Sequence, residues 1–297
     1  MATRIGVDIG GTSVKAGRLH ADGSIEPMEP MPTLLGRDPG DFLDRLARRI
    51  EELGAKQSVG IGVPGIFAPG TRTLAGNPNL KALTGIDLRT ELGRRLGWDP
   101  SSIQLENDAN VAALGEARLG AGREVGDLVM VTLGTGIGGG IVMDGKIVRG
   151  SLGRGAEIGH LVIHDRGPES VACGCGRYGC LESYASATAT IRRASEQGLT
   201  TDLGGLADCA RAGEGPERAL LEAIGADLGR GLALVLVLLD LPTIVVGGGF
   251  GAALDTLLPG IRMGLAERDF AAREPRIVPA RLGAEAGWIG AALLADS

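Results

Sequence analysis

One short pattern occurs twice in this chain and decides its fold. Residues 4–24 read RIGVDIGGTSVKAGRLHADGS, and residues 128–145 read LVMVTLGTGIGGGIVMDG. Each stretch predicts a strand, a glycine loop that contains threonine, a second strand and an Asp-Gly turn. Because a repeated unit indicates a duplicated structural element, we expect two related domains that face each other, each with a glycine hairpin.

Helix-like and strand-like segments alternate around these hairpins. Residues 41–53 place apolar side chains at helical spacing, and residues 58–63 form a short apolar run that predicts a buried strand. Residues 216–239 predict a long helix whose glycines indicate close helix packing, and residues 244–246 predict a strand that ends in three glycines. Strands that alternate with helices predict an α/β fold with largely parallel sheets.

The composition is that of a folded protein without nucleic-acid-binding or membrane-spanning features. Of 297 residues, 51 are glycine and 44% are hydrophobic, and the formal net charge is −6. The absence of a basic run argues against nucleic acid as a partner. The longest strongly apolar stretch, 232–239, is far shorter than the ~20 residues that span a bilayer, and no signal-peptide core is present. We therefore expect a cytoplasmic protein without a membrane partner.

Glycine loops that follow strands are candidate phosphate sites, because their backbone N–H groups can approach phosphate oxygens closely. A tight β-hairpin explains each loop equally well, but three such loops favour a nucleotide between the domains. Asp8, at the end of the first strand, can hold Mg²⁺ directly or through water, or can form an Asx turn. The candidate nucleotide-binding residues are Asp8, Gly10, Gly11, Thr12, Lys15, Thr135, Gly136, Gly248 and Gly249.

A polar sequence at 106–110, Glu-Asn-Asp-Ala-Asn, lies between an apolar strand and an apolar helix. Asp108 can cap this helix, or it can act as a general base that accepts a proton from a substrate hydroxyl. In the second case, Asn107 would position the substrate through its amide. Phosphoryl transfer depends on positioning and charge neutralisation more than on covalent chemistry, so an Asp and two phosphate loops suffice for it.

Three of the four cysteines occur together, in the sequence Cys173-Gly-Cys175-Gly-Arg-Tyr-Gly-Cys180. A disulfide between the first two would be strained, and the cytosol is reducing, so this spacing favours structural zinc over a disulfide or free thiols. A tetrahedral site needs a fourth ligand, which His160, His164 or His20 could supply. The separate Cys209 predicts a small core residue.

Together these motifs resemble the ROK family of sugar kinases and sugar-responsive repressors, most closely the bacterial ROK glucokinases. The resemblance extends over nearly the whole chain in the right order, and the cysteine motif beside Gly-His is highly specific to this family. The matching stretches are residues 8–15, DIGGTSVK; 60–65, GIGVPG; 77–80, NPNL; 106–116, ENDANVAALGE; 133–140, LGTGIGGG; 155–160, GAEIGH; 173–182, CGCGRYGCLE; and 244–249, IVVGGG.

The family resemblance implies an actin-like (ribonuclease H-like) two-domain fold of the ATPase and sugar kinase type, with a duplicated core that contains the hairpins. It implies a smaller N-terminal domain, residues 1–108 plus about 287–297, and a larger C-terminal domain, residues 109–286, that holds the zinc loop. The active site is expected in the cleft between them. The resemblance also implies a homodimer or homotetramer.

Residue roles follow from the resemblance by motif position. It implies that Asp108 is the catalytic base and that ATP, Mg²⁺ and structural Zn²⁺ are bound. The spacing between His160 and Cys173 is longer than is usual in the family, which leaves His164 as an alternative zinc ligand. The implied zinc ligands are His160, Cys173, Cys175 and Cys180. The implied sugar-binding residues are Gly65, Asn79, Asn107, Asp108, Glu157, His160 and Glu182.

The resemblance therefore implies a glycolytic kinase that uses ATP to convert glucose to glucose 6-phosphate. Kinases for N-acetylmannosamine, N-acetylglucosamine, allose, mannose or fructose share most of these residues, and polyphosphate is an alternative phosphoryl donor. A sugar-sensing regulator is disfavoured, because the first strand begins by residue 5 and leaves no room for a helix-turn-helix. A filament-forming actin-like protein would give the Glu-Asn-Asp-Ala-Asn and Cys/His motifs no role.

Overall fold

Strands and helices alternate along the chain, as the sequence predicts. The computed structural model describes residues 3–34, 38–56, 58–67, 73–76, 80–164, 170–268, 271–272 and 274–295. In chain order the elements are β1 (Arg4–Ile9), β2 (Ser13–Leu19), β3 (Ile25–Pro32), α1 (Gly40–Glu52), β4 (Val59–Val63), β5 (Ile66–Phe67), β6 (Leu74–Gly76), α2 (Leu88–Leu96), β7 (Ile103–Asn107), α3 (Asp108–Leu119), β8 (Leu128–Leu133), β9 (Ile137–Met143), β10 (Lys146–Ile147), α4 (Glu182–Ala185), α5 (Ala187–Glu196), α6 (Leu203–Ala212), α7 (Pro216–Leu239), β11 (Thr243–Gly247), α8 (Leu254–Arg268), β12 (Arg276–Pro279) and α9 (Ala286–Leu294).

Two five-stranded sheets have equivalent strand orders, which confirms the predicted duplication. The first has the order β3-β2-β1-β4-β7, and the second has the order β10-β9-β8-β11-β12. In both sheets, a glycine hairpin supplies the second and third strands, and two parallel strands follow it. A separate pair, β5 and β6, is antiparallel. The two related sequence stretches therefore form corresponding parts of two related sheets.

The chain divides into two compact units. Unit 1 comprises Met1–Asp127, Gly140–Ala156 and Arg281–Ser297, and unit 2 comprises Leu128–Gly139 and Glu157–Ala280. The units differ from the predicted domains because α3 and the segment after it belong to unit 1, where α3 packs against α9. The predicted domain boundaries stay a prediction.

In unit 1, apolar side chains of the first sheet pack against α1 and α2. Val7 and Ile61 on adjacent parallel strands are fully buried, as are Phe42 and Leu46 on α1. On the opposite side, α9 approaches β1 and β4 so closely that a Cβ at Gly60 would overlap the backbone of α9. The parallel strands are therefore covered by helices, as expected for a buried parallel sheet.

In unit 2, the long helix α7 packs closely against α8. A Cβ at Gly225 or Gly229 of α7 would overlap backbone carbonyls of α8, so glycine permits the short distance between these helices. This confirms the predicted close packing at these positions. Gly231 instead lies against the side chain of Leu181.

One predicted core residue is exposed. Cys209 lies on α6, beside the buried face that Leu206, Ala207 and Ala210 form. The prediction of a core cysteine is therefore wrong, because the sequence of this short helix does not show which face its neighbours cover.

Among the helices of the described residues, none combines the length and the apolar character that a membrane span requires.

Candidate active site and metal cluster

The sheet of unit 1 brings two aspartates of the predicted site together. Asp8 of β1 pairs in register with Gly62 of β4, and Gly62 pairs with Glu106 of β7. A Cβ at Gly62 would lie 3.4 Å from Asp8 Oδ1 and 3.7 Å from the Cα of Asp108. Because parallel strands end at the same edge of a sheet, Asp8 and Asp108 lie close together at that edge.

Burial makes these two carboxyl groups weaker acids than usual. It raises the pKa of Asp8 from 3.8 to about 7; the negative charge of Asp108 adds to this rise, and the positive charge of Lys15 opposes it. Burial also raises the pKa of Asp108, although a hydrogen bond from the Ala109 N–H partly offsets the rise. A Cβ at Gly287 of α9 would overlap the Asp8 carboxyl, which shows how closely the backbone encloses it. A neighbouring negative charge makes ionisation of a buried carboxyl group more costly.

We predict that Asp8→Asn stabilises the protein at pH 8 and not at pH 4. The folded-state pKa of Asp8 exceeds the unfolded value, so its contribution to stability falls as the pH rises from about 4 to about 7. Asparagine carries no charge at either pH. The shift corresponds to at most about 4 kcal/mol at pH 8. We expect Tm to rise by up to about 10 °C in buffer without Mg²⁺ or nucleotide.

Thermal melts at both pH values check this prediction. Asp144→Asn, at an exposed carboxyl in the turn after β9 of the same unit, is the matched control and should change Tm little. An equal Tm difference between Asp8→Asn and the wild type at pH 4 and pH 8 would show that the pKa of Asp8 is not raised.

Asn107 caps helix α3. Its Oδ1 accepts hydrogen bonds from the N–H groups of Ala109 and Asn110, at 2.9 and 3.2 Å. Its Nδ2 donates to the backbone oxygen of Gly65 at 3.3 Å, which places two predicted sugar-binding residues in contact. The Asp108 carboxylate accepts a hydrogen bond from the Ala109 N–H at 2.9 Å. The helix therefore begins on Asn107, and Asp108 is not required as its N-cap.

Glu106 and Arg149 form part of this site, although neither was predicted to have a role in it. The buried Glu106 carboxylate accepts hydrogen bonds from the Asn107 N–H and from Asn110 Nδ2, at 3.0 and 2.9 Å. It also forms an ion pair with the Arg149 guanidinium. These contacts fix the first turn of α3, which carries Asp108. In the sequence, the one indication for Glu106 is a charged residue at the end of an apolar strand. No sequence feature points to Arg149.

In the first hairpin, the predicted phosphate loop is held to the end of β3. Thr33 donates from Oγ1 to the Gly10 oxygen at 2.8 Å and from its N–H to the Thr12 oxygen at 2.9 Å. Lys15 donates to the Ala284 oxygen at 3.2 Å. Gly10, Thr12 and Lys15 thus lie on the same hairpin as Asp8, together with Gly11.

The corresponding loops of unit 2 also lie side by side. Thr135 and Gly136 connect β8 to β9, and Gly248 and Gly249 follow β11, which is parallel to β8. Gly248 adopts a φ of +81° and lies so close to the backbone of Leu133 that a Cβ would overlap it. These loops therefore share the edge of the sheet where β8 and β11 end.

Four side chains of unit 2 converge on one point. A ring nitrogen of His160 and the sulfurs of Cys173, Cys175 and Cys180 all lie within 4.8 Å of one another. The Cys173 sulfur is 3.7 Å from His160 Nδ1, and the sulfurs of Cys175 and Cys180 are 3.7 Å apart. Tetrahedral zinc with Zn–S bonds of about 2.3 Å separates two sulfurs by about 3.8 Å. The donor set and its spacing fit zinc. Burial, together with the neighbouring thiols, raises the pKa of Cys180 to about 12.

His164 belongs to a different network. Its Nε2 lies 3.1 Å from Asp227 Oδ1, and its ring packs against Tyr184 with a centroid distance of 4.3 Å. The buried Asp227 also binds Arg193 and Arg230, at 2.8 Å each. Within the described residues, the four-ligand cluster thus contains His160 and not His164. Residues 165–169 of the long His–Cys spacing lie outside the described residues, as does Asn79.

The Glu182 carboxylate and the backbone of Glu157, both from predicted sugar-binding residues, lie beside the metal cluster. Glu182 Oε1 is 3.8 Å from the Cys173 sulfur, and Glu182 Oε2 accepts a hydrogen bond from the Ile137 N–H at 2.9 Å. Glu157 begins the short turn that carries His160, and its backbone oxygen accepts from the His160 N–H at 3.0 Å. Unit 2 therefore brings Glu157, His160 and Glu182 together with the cysteines.

Comparisons with known proteins find similarity to sugar kinases along most of the chain. The chain is 36% identical over 277 residues to a glucokinase of Thermotoga maritima, covering 87% of this chain and 85% of that protein. It is 35% identical over 298 residues to an N-acetylmannosamine kinase of Escherichia coli O9:H4, covering 99% and 98%. The crystal structure of a ROK family glucokinase from Streptomyces griseus in complex with glucose and AMPPNP superposes with a TM-score of 0.78 at 31% identity, covering 99% of both chains.

These similarities settle the fold and the family. The structural likeness extends over essentially the whole chain and confirms the predicted actin-like α/β fold. Residues 4–297 match the ROK family. The chain belongs to the ROK family.

Proposed function

We propose that this protein phosphorylates glucose at O6 with ATP as the phosphoryl donor. The protein is an ATP-dependent hexose kinase of the ROK family, and the choice of glucose rests on its similarity to glucokinases. The observation that carries the proposal is the position of Asp108. This half-buried carboxylate follows β7, lies close to Asp8 and has a raised pKa.

Asp108 acts as the general base in this proposal. The sugar O6 attacks the γ-phosphorus of ATP, the O6–P bond forms, and the bond between phosphorus and the ADP oxygen breaks. The O6 proton passes to Asp108. A raised pKa makes the carboxylate a stronger base, because the efficiency of general bases rises as their pKa approaches the operating pH. Glu106 and Arg149 hold the helix turn that presents this base.

The glycine loops and Asp8 are proposed to hold the nucleotide. Backbone N–H groups at Gly10, Gly11, Thr12, Thr135, Gly136, Gly248 and Gly249 suit phosphate oxygens, as does the Lys15 ammonium. Asp8 would hold Mg²⁺, which supplies charge neutralisation on the phosphates when bound.

Seven residues are proposed to bind the sugar hydroxyls. They are Gly65, Asn79, Asn107, Asp108, Glu157, His160 and Glu182. A hexose suits such a set, because each hydroxyl is both a donor and an acceptor and an analogue that lacks one leaves a polar group unpaired.

The Cys/His cluster is proposed to be a structural zinc site. His160 Nδ1 and the sulfurs of Cys173, Cys175 and Cys180 would be its ligands. A closed shell of four ligands is typical of structural zinc. Coordination through Nδ1 leaves His160 Nε2 available for a sugar hydroxyl.

The proposal also includes assembly into a homodimer or homotetramer and location in the cytoplasm.

A second substrate has support of similar strength. The N-acetylmannosamine kinase matches this chain at 35% identity, close to the 36% of the glucokinase. An N-acetylhexosamine is therefore the alternative acceptor.

A panel of sugars and donors tests the choice of substrate. With ATP as the donor, kcat/KM is measured through ADP release. It should be highest for glucose and lower for N-acetylmannosamine, N-acetylglucosamine, allose, mannose and fructose. A kcat/KM for any other sugar at least tenfold above that for glucose would reject glucose. Equal or faster turnover with polyphosphate would reject ATP as the preferred donor.

A further inference from the structure

The loop between β8 and β9 is held by the segment that follows the cysteine motif. This clamp segment, residues 182–188, makes three hydrogen bonds to the loop. The Ala187 N–H donates to the Gly134 oxygen at 2.9 Å, and Thr188 Oγ1 donates to the Thr135 oxygen at 2.7 Å. Glu182 Oε2 accepts from the Ile137 N–H at 2.9 Å. The clamp segment thus binds the loop at its start, its middle and its end.

The clamp segment is also the direct continuation of the metal cluster. It begins two residues after Cys180, and the Ser183 N–H donates to the Cys180 oxygen at 3.0 Å. Between them, Leu181 is fully buried, and its N–H donates to the Leu161 oxygen at 2.8 Å. Any shift of Cys180 therefore displaces residues that hold the loop.

The other end of the cluster touches the same loop. Gly159, directly before His160, lies so close to the Ile137 carbonyl that a Cβ would overlap it. The first and the last ligand of the cluster are thus each flanked by residues that contact the β8–β9 loop. A glycine-rich loop loses much conformational entropy on ordering, so contacts from outside the loop are needed to keep it in one conformation.

We infer that the metal cluster positions the β8–β9 loop for the ATP phosphates, and that Thr188 is a positioning residue for nucleotide binding. This inference rests on the proposed function, which assigns Thr135 and Gly136 to the nucleotide. It extends the role of the metal from the sugar-binding residues to the phosphate loop. Weakening the clamp should therefore raise the KM for ATP more than the KM for the sugar.

Three threonine variants separate this role from a general structural one. Thr188→Val removes the donor to Thr135, and Thr188→Ser keeps it. Thr188 is exposed, so its replacement leaves no buried gap. Thr201→Val is the matched control, because Thr201 is exposed in the same unit and makes no side-chain hydrogen bond to another described residue.

We expect Thr188→Val to raise the KM for ATP about threefold to tenfold, which corresponds to the net free energy of one hydrogen bond. The KM for glucose should stay within twofold, and Thr188→Ser and Thr201→Val should behave like the wild type.

Hydrogen exchange of residues 134–137 gives a readout that needs no activity. Exchange should be faster in Thr188→Val than in the wild type, and faster in wild-type protein from which a chelator has removed zinc. An unchanged KM for ATP with unchanged exchange in Thr188→Val would overturn the inference, as would an equal rise in both KM values. Unchanged exchange after zinc removal would overturn the role of the metal. A wild type that phosphorylates no sugar would reject the proposed function instead, while exchange would still report on the clamp.

Discussion

Asp108→Asn should lower kcat by about a thousandfold and leave sugar binding nearly unchanged. A positioned general base contributes roughly 10²–10⁴ to a rate, and asparagine cannot accept the proton of the sugar hydroxyl. The substitution preserves the shape of the side chain and its hydrogen bond from the Ala109 N–H. Because burial raises the pKa of Asp108, loss of the charge should not lower stability at pH 8. Steady-state kinetics, sugar titration by calorimetry and thermal melts give the three readouts.

Asp87→Asn is the matched control for this variant. Asp87 caps α2 through hydrogen bonds from the N–H groups of Arg89 and Thr90, and asparagine is an equally good N-cap. Its activity should therefore equal that of the wild type. An Asp108→Asn protein whose kcat stays within tenfold of the wild type would show that Asp108 is not the base.

Loss of a cysteine ligand should remove the metal and strongly destabilise the protein. We expect about one zinc per chain in the wild type and almost none in Cys175→Ser. Binding of structural zinc supplies roughly 10–16 kcal/mol in zinc-finger peptides, and part of such an amount stabilises unit 2 here. We expect Tm to fall by about 10 °C or more. Elemental analysis and thermal melts measure the two effects.

Two control variants make the zinc experiment specific. Cys209→Ser changes an exposed cysteine outside the cluster and should keep both the zinc and the Tm. His164→Ala should keep the zinc, because His164 binds Asp227, whereas His160→Ala should lose it. Full zinc content in His160→Ala would reject His160 as a ligand, and full content in Cys175→Ser would reject the cluster as the metal site.

Features encoded in a contiguous stretch of sequence could be predicted. The repeated hairpin stretches at 4–24 and 128–145 predicted two related sheets, and their strand orders are equivalent. The dense cysteine motif predicted a metal cluster, and its sulfurs converge with His160. In both cases, the spacing of a few residues along the chain already determines which atoms can meet.

Features that depend on contacts between distant segments could not be predicted. The ion pair of Glu106 with Arg149 joins strand β7 to a loop more than forty residues away. The raised pKa of Asp8 depends on burial at an edge enclosed by Gly62 and Gly287, which only the packed sheet brings near it. The exposure of Cys209 likewise depends on which face of α6 its neighbours cover. Local sequence patterns carry no information about such packing.

The most direct test of the central claim is ³¹P NMR of the purified wild type with glucose and Mg²⁺-ATP. The account predicts equal amounts of ADP and glucose 6-phosphate, identified by coupling of its phosphorus to the C6 protons, with no product from Asp108→Asn on the same timescale. Formation of inorganic phosphate without a sugar phosphate, with glucose and with every other hexose or N-acetylhexosamine of the panel, would contradict it.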